Sequence, residues 1–272
     1  QGWIKGANNP VGVAVDSSHI FWANAGTNSI GRANLAGGEV EPEWIKGALE
    51  PTGVALDAGH VYWSNYGTSS IGRANLAGGE VEPEWIKGVA FPEGLAVDAG
   101  HVYWADNGTQ SIGRANLLGG EVEPEWVKSV NTPIGVAVDA GHVYWANWGT
   151  HSIARANIAG GEVEKEWIKG GNYPLGVAVD AGHIYWAEEE TGSIRRADLA
   201  GGEVENAFRK ATTDIWGVAV DNPTAESATS SLAFGSVTQG TLSPPQPLTV
   251  TNNGSETLRI GALALGGANT GE

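Results

Sequence analysis

The chain has 272 residues, 41 of them glycine and 12 tryptophan, a formal net charge of −16, and neither cysteine nor methionine. The acidity speaks against a nucleic-acid partner, which needs Lys and Arg clustered against phosphate, and against an anionic membrane surface. Disulfides, thiolate metal sites and Cys nucleophiles are excluded, and no apolar run approaches the roughly 18 residues of a membrane span, so no membrane insertion is expected.

With no Met, Gln1 is not a translation start, and the chain is expected to be a processed or trimmed piece of a longer protein. The first residues, Trp3-Ile4-Lys5-Gly6, read as the outer strand of a preceding unit. The stretch from Pro51 to Asn65 (PTGVALDAGHVYWSN) then sets the pattern. Its Asp recurs at Asp16, Asp57, Asp98, Asp139, Asp180 and Asp221, always 41 residues on, and its Trp at Trp22, Trp63, Trp104, Trp145 and Trp186. Such a period marks a repeat architecture.

One unit holds four strand-length segments, GVALD, VYWSN, SIGRANL and VEPEWIK, each rich in β-branched or aromatic residues and bounded by Gly, Asn or Asp. Pro83 in the last segment cannot donate to a ladder, which confines that strand to an edge. Four antiparallel strands per unit predict a β-propeller blade with the small, apolar GVAV segment nearest the axis. Complete units begin at Gly12, Gly53, Gly94, Gly135 and Gly176, and a sixth inner strand, Gly217–Asp221, follows. The expectation is all-β: a six-bladed propeller whose sixth blade is shared between the two ends of residues 1–221. The middle strands of that blade would come from residues 229–252 or from another chain.

The pattern GVAVD, VYWAN, IGRANLAGG resembles the YWTD repeats of six-bladed low-density-lipoprotein-receptor-type propellers, with NHL-type propellers second. The match runs over residues 3–221, although the last YWTD position is Asn24, Asn65, Asp106, Asn147 or Glu188. Residues 222–272 turn to Ser, Thr, Pro and Asn. They resemble the first part of a bacterial ASH-type (choice-of-anchor) immunoglobulin-like module, truncated here because such a sandwich needs around 100 residues.

Residues present in every unit are explained by packing. A buried Trp removes roughly 150–250 Å² from water, an upper bound of about 4–6 kcal/mol. The Asp column is expected to accept bonds from its own turn, the Arg column to pair with acids or carbonyls, and the His column to stay apart around the rim without a metal. Removing the columns leaves Tyr66, Phe91, Trp148, Tyr173 and Trp216, with His151, Asn107, Glu93, Glu189 and Asp214. All lie in loops between second and third strands or between blades, which an up-and-down blade places on one face, conventionally the top. Aromatics mixed with amides and carboxylates on one face read as a recognition surface.

The leading expectation is a non-catalytic binding module of an extracellular or cell-surface bacterial protein, taking a protein or glycan on that face. The resemblance implies the same. One alternative is a structural link in a fibre or tandem array, self-associating through unpaired strand edges. The other is a channel-metal hydrolase or lyase. That enzyme would place a Ca²⁺ among channel-mouth candidates such as Asn8, Asn131, Asn172, Glu93 and Asp214. No Ser-His-Asp or HExxH set stands out, and no cofactor is otherwise expected.

Overall fold

The computed structural model describes residues 4–210, 215–220, 225–227 and 250–252. Two units are distinguished, Gln1–Val220 and Asp221–Glu272.

The first unit is built of four-stranded antiparallel blades. Blade 1 comprises β1 (Pro10–Val15), β2 (His19–Asn24), β3 (Ser29–Asn34) and β4 (Glu41–Lys46). Blade 2 comprises β5 (Pro51–Leu56), β6 (His60–Asn65), β7 (Ser70–Asn75) and β8 (Glu82–Lys87). Blade 3 holds β9 (Pro92–Val97), β10 (His101–Asp106), β11 (Ser111–Asn116) and β12 (Glu123–Lys128). Blade 4 holds β13 (Pro133–Val138), β14 (His142–Asn147), β15 (Ser152–Asn157) and β16 (Val163–Lys169). Blade 5 holds β17 (Pro174–Val179), β18 (His183–Glu188), β19 (Ser193–Asp198) and β20 (Glu205–Lys210). In every blade the strands lie in sequence order, and in blades 1 to 3 the fourth strand, with its internal Pro, is at the edge as expected.

Inner strands begin two residues earlier than the GVALD segment suggested. Proline is tolerated at a first strand position, and the register slips between Pro51 and Val54 so that the intervening glycine can turn toward the axis.

Among the described residues five blades are formed, not the expected six. Residues 215–220 take a sixth place around the axis without joining a sheet: the Gly176 amide donates to the Trp216 carbonyl at 2.9 Å, yet no ladder forms. The reason is in the chain, where Asn222-Pro223-Thr224 follows Asp221 in place of Ala-Gly-His and its Val-Tyr-Trp strand. Residues 4–9 likewise add no outer strand, and Trp3 lies outside the described residues. In the second unit β21 (Ala225–Ser227) pairs antiparallel with β22 (Val250–Asn252). The remainder of the expected immunoglobulin-like segment lies outside the described residues.

The core sits between blades. Tyr103 and Val127 of blade 3 pack with Trp145 and Val143 of blade 4, and the same arrangement recurs at each junction from blade 1 to blade 5. Trp63, Trp104 and Trp145 are fully buried. The outer Trp column lies beneath the Arg column, with the Arg73 guanidinium 4.6 Å from the Trp85 ring centroid. Arg73 also pairs with Glu82 and donates to the Leu117 carbonyl of the next blade, so this column does both things expected of it. The Asp57 carboxylate accepts from the Gly59 and His60 amides at 2.7 Å and from the Tyr62 hydroxyl. His19, His60, His101 and His183 each sit beside the Asp of their own turn, as His60 does beside Asp57 at 3.4 Å.

Candidate functional site

The backbone decides which loops share a face. Each loop between second and third strands donates an amide to the connection that precedes its own blade. Tyr66 N bonds to Glu50 O, Asn107 N to Phe91 O, Trp148 N to Thr132 O and Glu189 N to Tyr173 O, at 3.0–3.2 Å. The Asp-Ala-Gly-His and Leu-Ala-Gly-Gly turns bond to each other at the opposite end, as Leu76 N does to Gly59 O.

A buried side chain at the end of each second strand anchors the top loops. Asn65 Oδ1 accepts from Leu49 N at 2.9 Å, and its Nδ2 donates to Pro83 O at 2.7 Å, tying three segments together. Here the acid of the YWTD pattern is replaced by an amide that also donates, which a carboxylate cannot do.

Two columns of top-face residues hold positive φ. Asn9, Glu50, Phe91, Thr132 and Tyr173 have φ of 47–53°, and Asn28, Ser69, Gln110 and His151 have 50–55°. Asn visits this region cheaply; bulky and β-branched residues do so at a cost of order 1–3 kcal/mol. Blade 1 carries Asn at both places. Phe91, Thr132 and Tyr173 depart from the residue that suits the backbone.

These columns touch across blade boundaries. Asn28 Oδ1 accepts from Glu50 N at 2.9 Å, and Gln110 Oε1 accepts from Thr132 N at 2.7 Å. At the other two junctions the contact is aromatic. Tyr66 lies over Phe91 with ring centroids 5.1 Å apart. Trp148 and His151 both meet Tyr173, at 4.8 and 4.2 Å, and Trp148 Nε1 donates to Glu189 Oε2 at 2.8 Å. The structure therefore gathers the candidate residues into two aromatic groups, Tyr66–Phe91 and Trp148–His151–Tyr173–Glu189. A third set, Glu93, Asn107 and Trp216, stands at the channel. Asp214 lies outside the described residues.

The channel is ringed by six glycines of the inner segments. A Cβ on Gly53 would lie 2.5 Å from Glu93 O, on Gly94 2.5 Å from Ile134 O, and on Gly135 2.4 Å from Leu175 O. Only glycine permits so close an approach. At Gly217 the nearest atom is Val11 O at 3.1 Å, a looser step. The ring encloses a cavity of about 80 Å³ bordered by Val11, Thr52, Glu93, Ile134 and Trp216. Burial pushes the Glu93 carboxyl up to about 7, against the opposing effect of its hydrogen bond with Asn107. Among the described residues no three His, Asp or Glu converge. Among the described residues Glu93 is the one carboxylate that lines the channel, and the other lining side chains are apolar apart from the Thr52 hydroxyl.

Two features escaped the sequence reading. In blade 5 Glu188 and Arg195 form a buried ion pair, Nη1 to Oε1 at 2.8 Å, with side-chain exposures of 1% and 7%. The signal was available: blade 5 departs from two columns at once, Glu for Asn and Arg for Gly. On the opposite face Leu118, in a turn where other units carry Ala, is 90% exposed.

No protein-family model matches the chain, and no curated protein matches it. Solved structures do. The nidogen propeller of a nidogen/laminin complex aligns with TM-score 0.71 at 26% identity, over 78% of this chain and 85% of that one. A catalytically inactive virginiamycin B lyase from Staphylococcus aureus, crystallised with quinupristin, aligns with TM-score 0.61 at 17% identity over 81% and 77%. A streptogramin B lyase aligns with TM-score 0.55 at 15% identity over 79% and 88%. The two lyases show the fold alone; the nidogen likeness supports a propeller of YWTD type.

Proposed function

We propose that this chain is a non-catalytic binding module of an extracellular or cell-surface bacterial protein, recognising a protein or glycan ligand through its top-face loops. One observation carries the reading. Residues that differ between otherwise near-identical blades converge in space, as Trp148, His151, Tyr173 and Glu189 do, and two of the aromatic residues in these contacts, Phe91 and Tyr173, sit on costly backbone. Strain of this kind is kept where something beyond folding uses it. The likeness to the nidogen propeller, seen in a complex with laminin, supports a protein partner. Changing Tyr66, Trp148 and Trp216 together to Ala tests it: affinity for a verified ligand is lost, whereas unchanged affinity removes the proposal.

We further propose a six-bladed ring over residues 1–221, its sixth blade begun by residues 215–220, and an ASH-like module beginning in residues 222–272. The ring of glycines supports the six-fold count, since Gly217 stands between Gly176 and Val11.

A second reading, a link in a fibre or tandem array, has one observation behind it. Strand β1 is less buried than its counterparts, and a cavity of about 330 Å³ lies against Ile20, Trp22 and Trp216. A chain that sizes as a strict monomer at high concentration contradicts it.

A further inference from the structure

The residue before each ring glycine is Val11, Thr52, Glu93, Ile134, Leu175 or Trp216. Only Glu93 carries charge, and the repeat does not require it, because β9 meets β10 in the same register as β5 meets β6. Nor is it neutralised locally. The Thr52 hydroxyl donates to Pro92 O at 3.0 Å, and the Ser64 hydroxyl serves Gly53 N and Glu93 O, both backbone groups. Among the described residues no Lys, Arg or His lines the channel, and Asn107 is the side-chain partner. A partly buried carboxylate without a counter-charge is costly, and burial raises the Glu93 carboxyl against the effect of its hydrogen bond with Asn107. Across the ring from it Trp216, which lines the same cavity, is 51% exposed at the mouth.

We propose that the channel mouth binds a primary ammonium group, the side chain of a lysine on the partner. Glu93 is its counter-ion, Trp216 its aromatic wall, and Val11 and Ile134 the surface for its methylenes. An ammonium against a carboxylate makes a charge-assisted bond, and a Trp face adds cation–π attraction. A cavity of about 80 Å³ holds roughly three water-sized groups, which suits an ammonium head and its last methylenes and not a sugar ring. The net charge of −16 draws a cation toward the chain. This rests on the binding-module reading and makes the ligand a protein.

The test is calorimetric titration of the whole chain with Nα-acetyl-lysine methylamide, and with the norleucine analogue that lacks the ammonium. Saturable binding of the lysine probe alone is expected, weakened at least tenfold in Glu93→Gln. Between pH 8 and pH 6 the wild type loses about tenfold in affinity as Glu93 protonates near 7, and Glu93→Gln shows no such trend. Equal binding of norleucine, undiminished binding by Glu93→Gln, or no binding of either probe overturns the proposal. Where no lysine probe binds but Trp148→Ala still weakens a verified ligand, this proposal falls and the binding-module reading stands, so the two fail separately.

Discussion

Arg195 Nη1 lies 2.8 Å from Glu188 Oε1 in the interior of blade 5, where the other blades place Gly or Ala against a Trp ring. A Cβ on Gly72 would meet Trp63 Cε2 at 2.3 Å, whereas in blade 5 the Arg195 guanidinium lies 5.2 Å from the Trp186 ring centroid. The guanidinium also donates to Gly170 O at 2.7 Å and to Asn206, while its Nε has no partner. Burial works to raise the Glu188 carboxyl, but hydrogen bonds from Arg195 and Asn172 outweigh it and hold the group below its ordinary range.

Removing one partner leaves a buried charge, so Arg195→Ala is expected to cost about 3–5 kcal/mol in chemical denaturation. The double change Glu188→Asn with Arg195→Gly restores the pattern of blade 2 and should fall within about 1 kcal/mol of wild type. Equal losses in the two variants would show that the pair is not what holds the blade.

The glycine ring makes a steric prediction. Gly53→Ala brings a methyl within 2.5 Å of backbone oxygen, and overpacking of this kind costs about 1–3 kcal/mol. Gly217→Ala, with 3.1 Å to Val11 O, should cost far less. Comparison of denaturant midpoints checks both.

How much of this was legible in the sequence follows from what the repeat encodes. Blade composition, strand order and the faces of the loops were readable because Asp57, Tyr62, Trp63 and Arg73 recur at fixed spacing, and periodic packing leaves a periodic signature. The pairing of Tyr66 with Phe91 and of Trp148 with Tyr173 was not readable. It depends on side-chain reach across a blade boundary, 25 residues apart. The sixth blade does not form among the described residues, because a missing second strand removes the ladder that would make residues 215–220 a strand. Arg195 went unnoticed because columns were read singly, whereas an ion pair is a joint departure of two.

Backbone strain at the top face is separable from contact. Thr132 is β-branched at φ 49°, and Thr132→Asn, the residue blade 1 uses at Asn9, should stabilise by about 0.5–1 kcal/mol. A thermal scan that shows destabilisation would mean the Thr side chain does more than occupy the turn.

Glu93 gives a pH dependence with a definite sign. Its folded value of about 7 lies above the ordinary 4.5. Its contribution to stability is therefore complete below about pH 4.5 and declines until the pH passes 7, by at most about 3 kcal/mol. Glu93→Gln should flatten that limb in denaturation measured from pH 4 to pH 8. An unchanged slope would place the carboxyl in contact with water.

The central claim, that the differing residues of one face are the binding surface, is tested most directly by hydrogen exchange of the chain with and without a verified ligand. The account predicts protection in residues 66–69, 91–93, 148–151 and 171–173, with residues 57–60 and 117–120 on the opposite face unchanged. Protection confined to those opposite turns, around the exposed Leu118, would contradict it.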